Sequence, residues 1–336
     1  MKYQIVCKKC GKVIGDFKTW FAQDQKCSCG STYAEVEYEN KALPDFSKMP
    51  KVHEDYQHLY FDYLPIENPE NIVTCNEGLV PIERWEKLEE EAKGYGINCE
   101  VYVCRNDLNG GSGTFKDISA ALAASVLKEN GIKKYCLAST GNAGVSFATY
   151  LAKADISFHE FAPSFIDEGS IKAIKEVGQD ITISTSGYGA AKSEAAEYHK
   201  ANQVLISGGN TDPLRIESKR TLVFECLRQI GKMPTVYMQA VAGGTSPLAF
   251  EKGFNDLGKA GRTDLKLPRM LLVQQDECDP MLKAWEKAKT NDFPQGWEHD
   301  YEAKKDLKTN IGILTAANPG NYPLVAPLVR KSGGDF

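Results

Sequence analysis

The sequence has no long apolar run, no excess of basic residues and no repeated or low-complexity segment. Nothing approaches the ~20 consecutive apolar residues of a membrane-spanning helix, and the opening MKYQIVCKKC lacks the apolar core of a secretory signal. We therefore expect a soluble cytoplasmic protein. Forty basic against forty-five acidic residues give a formal charge of −5, which argues against nucleic acid or an anionic membrane as partner. Small molecules and further copies of the chain are the expected partners.

The 336 residues are 42% apolar and 25% charged, which is ordinary globular composition with enough apolar residues for a large core. Short apolar strands such as KKYCLAS and TVYMQAV alternate with helical patterns such as AGVSFATYLAKA and SPLAFEKGFNDLG. Strands that are apolar throughout are typical of parallel sheets covered by helices on both faces. The units are too many for one small sheet, so the sequence predicts an α/β protein with two doubly wound lobes and a cleft between them. It contains no G-x-G-x-x-G fingerprint, which argues against a dinucleotide-dependent oxidoreductase.

Four of the ten cysteines lie within the first thirty residues, in two closely spaced pairs. Cys7 and Cys10 form C-x-x-C, Cys27 and Cys29 form C-x-C, and a glycine follows each pair. Four thiolates in this arrangement are typical of a tetrahedral zinc ribbon, although the second pair is one residue tighter than usual. Scattered structural cysteines or a redox pair are the alternatives, and the paired spacing favours a metal site.

A glycine-rich loop carrying a lysine, NGGSGTFKD, follows the predicted strand that ends near Arg105. It is not a nucleotide P-loop, because Lys116 does not directly follow a glycine and Asp117 stands where a magnesium-binding Ser or Thr would. A lysine on a constrained strand-to-helix turn suits a Schiff base, provided that burial or neighbouring charge can deprotonate its amine. Phe115 beside it could line a ring site. The alternative is a solvated lysine that starts a helix.

A second loop, ASTGNAG, follows the strand KKYCL and opens a helix near Ala143. Its small side chains let amides and hydroxyls close around a carboxylate, and Asn142 adds a side-chain amide for a ring oxygen or a substrate. The alternative is a plain helix cap.

A third loop, VAGGTSP, follows the strand TVYMQA and also opens a helix. Gly243 and Gly244 permit close approach of a ligand, and Thr245 adds a donor, so the composition favours a phosphate cradle. The alternative is a tight connection without a ligand.

Together the three loops resemble the threonine synthase family of fold-type II pyridoxal-phosphate enzymes, and the resemblance covers nearly the whole chain. It includes CKKCG, NEGLVP, SGTFKD, ASTGNAG, DPLRIESKRT, LPRMLLVQ and AANPGNYP. The resemblance implies a tryptophan synthase β-like fold, pyridoxal 5′-phosphate as cofactor and a homodimer. It also implies three parts: a zinc-ribbon-like segment at 1–40, a larger lobe from 41–110 and 201–336 that binds the cofactor phosphate, and a smaller lobe at 111–200 that binds the substrate carboxylate.

Individual roles follow from the same resemblance. Lys116 would hold the cofactor covalently and act as the catalytic residue, with Phe115 beside the cofactor ring. Asn142 would bind the phenolic oxygen of the cofactor, and Arg215 would bind the phosphate of the substrate. The substrate carboxylate would be bound by Ser139, Thr140 and Gly141. The cofactor phosphate would be bound by Gly243, Gly244 and Thr245.

The resemblance favours a carbon–oxygen lyase that converts O-phosphohomoserine to threonine. Two positions depart from the family pattern: Asn210 replaces a usual serine, and Ala242–Ser246 replaces G-N-x-G-N. The stretch IGKMPTVYMQAVAGGTS resembles instead cysteate synthase, which replaces the phosphate of O-phosphoserine with sulfite. The resemblance places the family's Ser or Thr that faces the pyridine nitrogen beyond the segment that matches LVRKSGGDF, so catalytic competence depends on a residue that we do not expect within this sequence. A shortened chain, or a catalytically degenerate protein that binds the cofactor for regulation, is the further alternative.

Overall fold

The first part of the chain forms a small antiparallel sheet. The computed structural model describes residues 2–304, 309 and 311–336. The first elements are β1 (Tyr3–Cys7), β2 (Val13–Gly15), α1 (Phe17–Ala22) and β3 (Ala34–Tyr38), with strand order β2-β1-β3. Burial alternates along β1, so Tyr3, Ile5 and Cys7 share the inner face. Asp16 caps α1 by accepting a hydrogen bond from the Thr19 amide at 2.8 Å.

The next segment anchors its aromatic residues in the main body. Its elements are α2 (Tyr56–Leu59), β4 (Ile82–Arg84), α3 (Glu86–Gly94) and β5 (Tyr102–Cys104). Tyr56 and Tyr60 are fully buried, and the Tyr56 hydroxyl donates to the Ile118 carbonyl at 2.7 Å. The predicted strand that ends near Arg105 is present as β5, but in the described part of the chain it pairs only with β4, in antiparallel orientation.

A four-stranded parallel sheet occupies the middle of the chain. Its elements are α4 (Asp117–Glu129), β6 (Lys134–Ala138), α5 (Asn142–Lys153), β7 (Ser157–Ala162), α6 (Glu168–Glu176), β8 (Asp180–Ile183), α7 (Tyr188–Asn202) and β9 (Leu205–Ile206). The strand order is β8-β7-β6-β9. Strand β9 lies beyond the predicted lobe boundary at residue 200, and the lobe boundaries themselves stay a prediction.

The last part of the chain contains a parallel strand pair and the remaining helices. They are α8 (Pro213–Glu225), β10 (Val236–Ala240), α9 (Thr245–Lys259), β11 (Arg269–Val273), α10 (Pro280–Thr290) and α11 (Tyr322–Lys331), with β10 beside β11. The pattern RIESKRTLVFECLRQIG predicts a single helix. The structure instead changes from α-helix to a π-helical turn at Cys226–Ile230.

Helices α4 and α8 lie together at the centre of the molecule. Helix α4 is buried from Asp117 to Leu127, and its many alanines and serines allow a close approach to its neighbours. The hydroxyls of Ser119 on α4 and Ser218 on α8 lie 3.2 Å apart. This contact fixes the residues at the N-terminal ends of the two helices relative to each other. No helix in the described part of the chain has the length and apolarity to cross a membrane.

Candidate active site and cysteine cluster

The three loops identified in the sequence meet around one cleft of about 690 Å³. The loops follow β5, β6 and β10 and lead into α4, α5 and α9, where helix N-termini present free amide groups. The predicted site residues that line the cleft are Phe115, Lys116, Ser139, Thr140, Asn142, Arg215, Gly243, Gly244 and Thr245. Gly141 does not line it.

A buried carboxylate organises the lysine loop. Asp117 is fully buried and accepts hydrogen bonds from the Thr114 amide at 2.8 Å and the Ser112 hydroxyl at 2.7 Å. Sequence analysis used Asp117 only to exclude a P-loop. The structure gives this residue a role in holding the turn that presents Lys116.

Lys116 lies directly before α4 with its amine in a cationic environment. Burial and the nearby Arg215 guanidinium lower the pKa of Lys116 to about 8. Its Nζ lies 5.6 Å from the centre of the Phe115 ring. The condition that sequence analysis set for Lys116, an amine that can lose its proton near neutral pH, is therefore met by burial and neighbouring charge together.

The second loop is folded around a serine hydroxyl. Ser139 Oγ accepts hydrogen bonds from the amides of Gly141 and Gly144, at 3.1 and 3.0 Å. Gly141 has φ of +146° and an added Cβ would lie 3.2 Å from Ile313 Cγ2, so a glycine is required there. The loop thus turns sharply into α5 and leaves Thr140 and Asn142 on the cleft wall.

The third loop brings backbone close to the cleft because two glycines lack side chains. A Cβ on Gly243 would lie 2.0 Å from Asn210 Nδ2, and a Cβ on Gly244, where φ is +75°, would lie 2.6 Å from Val325. Such a loop at the start of the 15-residue helix α9 has the donor amides and the positive dipole end that a phosphate group needs. The Thr245 hydroxyl donates to the Asn210 carbonyl at 3.0 Å, so the amides are the loop's free donors.

Arg215 reaches the cleft from the first turn of α8. Asp212 caps this helix by accepting from the Leu214 amide at 2.9 Å. Arg215 Nη2 donates to Ser207 Oγ at 3.0 Å, whereas its buried Nε has no partner among the described residues. The guanidinium therefore retains donor capacity.

Sequence analysis missed a second lysine in the cleft. Lys219 is buried, lines the cleft and places its Nζ 5.1 Å from the centre of the Phe115 ring, so two lysines approach one ring. Burial and the neighbouring Lys116 and Arg215 hold the pKa of Lys219 well below its usual range. The sequence spacing could have identified Lys219, because it follows Arg215 by four residues and the two therefore share a helix face.

The cysteine cluster lies in the N-terminal sheet. The four predicted ligands, Cys7, Cys10, Cys27 and Cys29, have sulfurs that all lie within 4.8 Å of one another. The Cys7–Cys29 and Cys10–Cys27 sulfurs are 3.6 and 3.7 Å apart. Tetrahedral zinc with Zn–S bonds of ~2.3 Å separates its sulfurs by about 3.8 Å. The four residues therefore fit a zinc ion in both chemistry and spacing.

Comparison with known proteins gives one family for most of the chain. Residues 73–335 match the family described as pyridoxal-phosphate dependent enzyme. A threonine synthase of Methanocaldococcus jannaschii is 26% identical over 98% of this chain and 77% of its own length. A cysteate synthase of Methanosarcina acetivorans is 26% identical over 95% of this chain and 74% of its own length. The predicted resemblance to both kinds of enzyme is confirmed.

Solved structures support the fold. The processed form of threonine deaminase isoform 2 from Solanum lycopersicum has a TM-score of 0.58, covers 86% of this chain and 73% of its own, and is 17% identical. The predicted α/β fold of fold-type II is confirmed, as is the prediction of a pyridoxal-phosphate enzyme. With the family match extending from the segment before the lysine loop almost to Phe336, the chain belongs to the pyridoxal-phosphate dependent enzyme family.

Proposed function

We propose that the protein eliminates phosphate from a phosphorylated amino acid, with O-phosphohomoserine as substrate and threonine as product. The observation that carries the proposal is the charge of the cleft. Among the described residues that line it there is no Asp or Glu, whereas five cationic side chains do so: Lys116, Lys192, Arg215, Lys219 and Lys304. Such a wall suits ligands with several negative charges. A cofactor phosphate, a substrate carboxylate and a substrate phosphate would supply them.

The residues present fit pyridoxal phosphate. Lys116 would hold the aldehyde carbon of the cofactor, Phe115 would lie beside its ring and Asn142 would donate to its ring oxygen. The amides of Gly243, Gly244 and Thr245 would hold its phosphate at the start of α9. When bound, the cofactor supplies an electron sink for charge on the carbon next to the substrate amine.

The chain's own residues would orient the substrate and move its protons. Ser139 and Thr140 on the cleft wall would hold the carboxylate, and Gly141, whose amide donates to Ser139 Oγ, would shape the loop that presents them. Lys116 Nζ, neutral above pH 8, would accept the proton from the substrate α-carbon. Its position on a turn fixed by Asp117 keeps the amine in place for that transfer.

Arg215 would act at the leaving group. Its guanidinium can bind the substrate phosphate by two parallel hydrogen bonds and stabilise the charge that grows as the carbon–oxygen bond breaks. Phosphate leaves with both electrons of that bond, and water adds a hydroxyl group. The overall change is O-phosphohomoserine plus water giving threonine plus phosphate.

A second candidate is replacement of phosphate by sulfite on O-phosphoserine. The similarity to cysteate synthase over 95% of the chain favours it, as does the Ala242–Ser246 loop, which departs from the threonine synthase pattern. The two candidates share the cofactor and the leaving group but differ in the carbon that loses phosphate and in the nucleophile.

Phosphate release separates these candidates. The purified protein is given O-phosphohomoserine alone, and O-phosphoserine with and without sulfite, while phosphate and amino-acid products are measured. We expect phosphate and threonine from O-phosphohomoserine without sulfite. Release from O-phosphoserine that requires sulfite would replace the first candidate by the second. Release in neither assay by protein that binds the cofactor would support a regulatory role.

An arginine pair tests the role of the guanidinium. Arg215→Ala should lower the rate of phosphate release by about 10²-fold or more, because a charged donor to the leaving group is lost. Arg262→Ala is the matched control, since Arg262 is exposed and pairs with Asp264 at 2.9 Å away from the cleft lining. Equal activity of the two variants would contradict the role of Arg215.

We also propose that Cys7, Cys10, Cys27 and Cys29 bind one zinc ion, which the spacing of their sulfurs supports. Elemental analysis of protein prepared without chelator should find about one zinc per chain. Cys27→Ser should lose it, whereas the exposed Cys99→Ser should retain it. Wild-type protein without metal and with these thiols oxidised would contradict the proposal.

A homodimer stays a prediction that the family resemblance of the sequence implies. Light scattering at micromolar concentration should give twice the mass of 37.1 kDa. A mass of one chain would contradict it.

A further inference from the structure

An acidic residue lies buried beneath the second loop. Glu160 stands in the middle of β7, between Leu137 of β6 and Ile181 of β8, and its side chain is fully buried. Neither of its carboxyl oxygens has a hydrogen-bond partner among the described residues. A buried carboxyl group without partners is costly, so its position beneath this loop needs a structural explanation.

The carboxyl group of Glu160 lies against the first turn of α5. A Cβ on Gly144 would lie 1.6 Å from Glu160 Oε2, so only glycine leaves room for it. The Gly144 amide donates to Ser139 Oγ, and the Ser139 amide donates to the carbonyl of Phe161, the residue after Glu160. The side chain therefore touches the loop from inside the protein, opposite the wall that faces the cleft.

The surroundings keep this group protonated near neutral pH. Burial raises the pKa of Glu160 to about 8, and the Asp167 carboxylate raises it further. The phenol of Tyr188 on α7 also faces it, and its pKa is raised by burial and, in part, by Glu160. No cation contributes to these shifts except Arg215, which acts on Tyr188.

We propose that Glu160 is a positioning residue for the carboxylate-binding loop: uncharged, it supports Ser139 and Gly144 from behind, and ionised, it weakens binding of the substrate carboxylate. The inference rests on the proposed function, in which this loop holds that carboxylate. Two effects act in the same direction after ionisation. A carboxylate at Glu160 competes for the hydroxyl of Ser139 and the amide of Gly144, and it repels a second carboxylate across the loop.

The sign of the pH effect follows from the direction of protonation. Below pH 8 the carboxyl group of Glu160 is neutral and the loop can bind the substrate carboxylate. Above pH 8 the fraction of molecules with a neutral Glu160 falls, and carboxylate binding falls with it. At pH 9 about one molecule in ten keeps the proton, so affinity for a carboxylate ligand falls about tenfold relative to pH 7. Glutamine has the same shape as glutamic acid but cannot ionise, so the affinity of Glu160→Gln should not show this decrease between pH 7 and pH 9.

The test uses the cofactor-loaded protein and ligands without an amine, which do not react with the cofactor. The first probe, 5-phosphonopentanoate, carries a carboxylate and a phosphonate, and the second, pentylphosphonate, lacks the carboxylate. Calorimetry gives both affinities at pH 7 and pH 9 for wild type and Glu160→Gln. The carboxylate probe should lose about ten times more affinity in wild type than in the variant. The affinity of the second probe should change by the same factor between pH 7 and pH 9 in both proteins.

Infrared spectroscopy adds a readout that needs no ligand. The wild-type minus Glu160→Gln spectrum at pH 6.5 should contain the carbonyl stretch of a protonated carboxyl group, and this band should vanish by pH 10. Absence of the band would overturn the inference, as would equal pH trends for the carboxylate probe. If wild type binds neither probe at either pH, the proposed function fails as well, so the two failures are distinguishable.

Discussion

Helix α8 separates two groups of cations that differ in their partners. On the cleft side, burial lowers the pKa of Lys116, and the neighbouring Arg215 lowers it further. On the side of the N-terminal sheet, burial alone would lower the pKa of Lys252, but Glu217 and Asp256 beside it raise that pKa instead. Burial acts in the same direction on both lysines, and the neighbouring charges decide whether the pKa finally falls or rises.

The distances show how complete the pairing is on the sheet side. Lys252 Nζ lies 3.0 Å from Asp256, 3.4 Å from Glu217 and 3.5 Å from Glu35. Arg220 lies 2.6 Å from Glu217 and 3.0 Å from Asp256. A paired buried network of this kind holds elements together. Among the cleft cations in the described residues, Lys304 pairs with Asp279 at 3.0 Å, whereas Lys116, Arg215 and Lys219 have no carboxylate partner that an anionic ligand would have to displace.

The largest expected effect comes from removing the unpaired lysine. Lys116→Ala should lower phosphate release by about 10²–10⁴-fold, because a positioned proton acceptor is lost. Compared without cofactor, the thermal midpoint of the variant should not fall, since no ion pair is broken. Lys175→Ala on the exposed face of α6 serves as the control and should keep full activity. A Lys116→Ala protein with more than half the wild-type rate would remove the lysine from the mechanism.

Removing a paired lysine should act on stability. Lys252→Met removes one of the two cations that Glu217 and Asp256 share, so the free energy of unfolding should fall by about 3–5 kcal/mol. Urea denaturation measures the difference. Lys289→Met, which breaks an exposed pair with Asp335 at 2.7 Å, should cost less than about 1 kcal/mol. Equal losses in the two variants would mean that the buried network is not a structural unit.

The pH dependence of amine reactivity tests whether Lys116 has the low pKa that its lack of an anionic partner favours. The folded-state pKa of Lys116 lies below its usual value, so the amine is protonated below pH 8 and reactive above it. Acylation of cofactor-free protein, followed by peptide mass analysis, should give a midpoint near pH 8 for Lys116. An ordinary lysine titrates near ~10.4. A midpoint at the ordinary value would show that Lys116 is hydrated.

The smallest effect concerns the arginine beside that lysine. Arg215→Gln removes a like charge, so the midpoint of Lys116 acylation should move upward by about one pH unit or less. Arg262→Gln, at the surface, should leave the midpoint unchanged. A downward movement in Arg215→Gln would reverse the assigned sign of this interaction.

Local patterns in the sequence were sufficient for the elements and the loops. Apolar strands ending in small residues predicted β6 and β10 and the turns after them, because the residues that form such a turn are adjacent in the chain. Lys116 was identified for the same reason. The pairing of β5 with β4 was not, since register and direction depend on residues outside the strand.

The missed features depend on contacts between distant segments. The Thr245 hydroxyl donates to the Asn210 carbonyl, a contact across thirty-five positions that no local pattern contains. Glu160 is one of three polar residues in the run SFHEFA, and only the sheet and α5 show that its side chain is enclosed. Lys219 could have been found from helical spacing, but its low pKa required the position of Lys116.

The joining of the N-terminal sheet to α8 and α9 bears on how this protein could have evolved. The Tyr38 hydroxyl of β3 donates to Glu217 at 2.7 Å, and Glu35 of the same strand faces Lys252. A gene fusion that exchanged this sheet for another would expose the buried ion network around Lys252 and the apolar surface that the sheet covers. The sheet and the catalytic body should therefore have been inherited as one unit, and a recombination point just after Tyr38 should be rare among descendants.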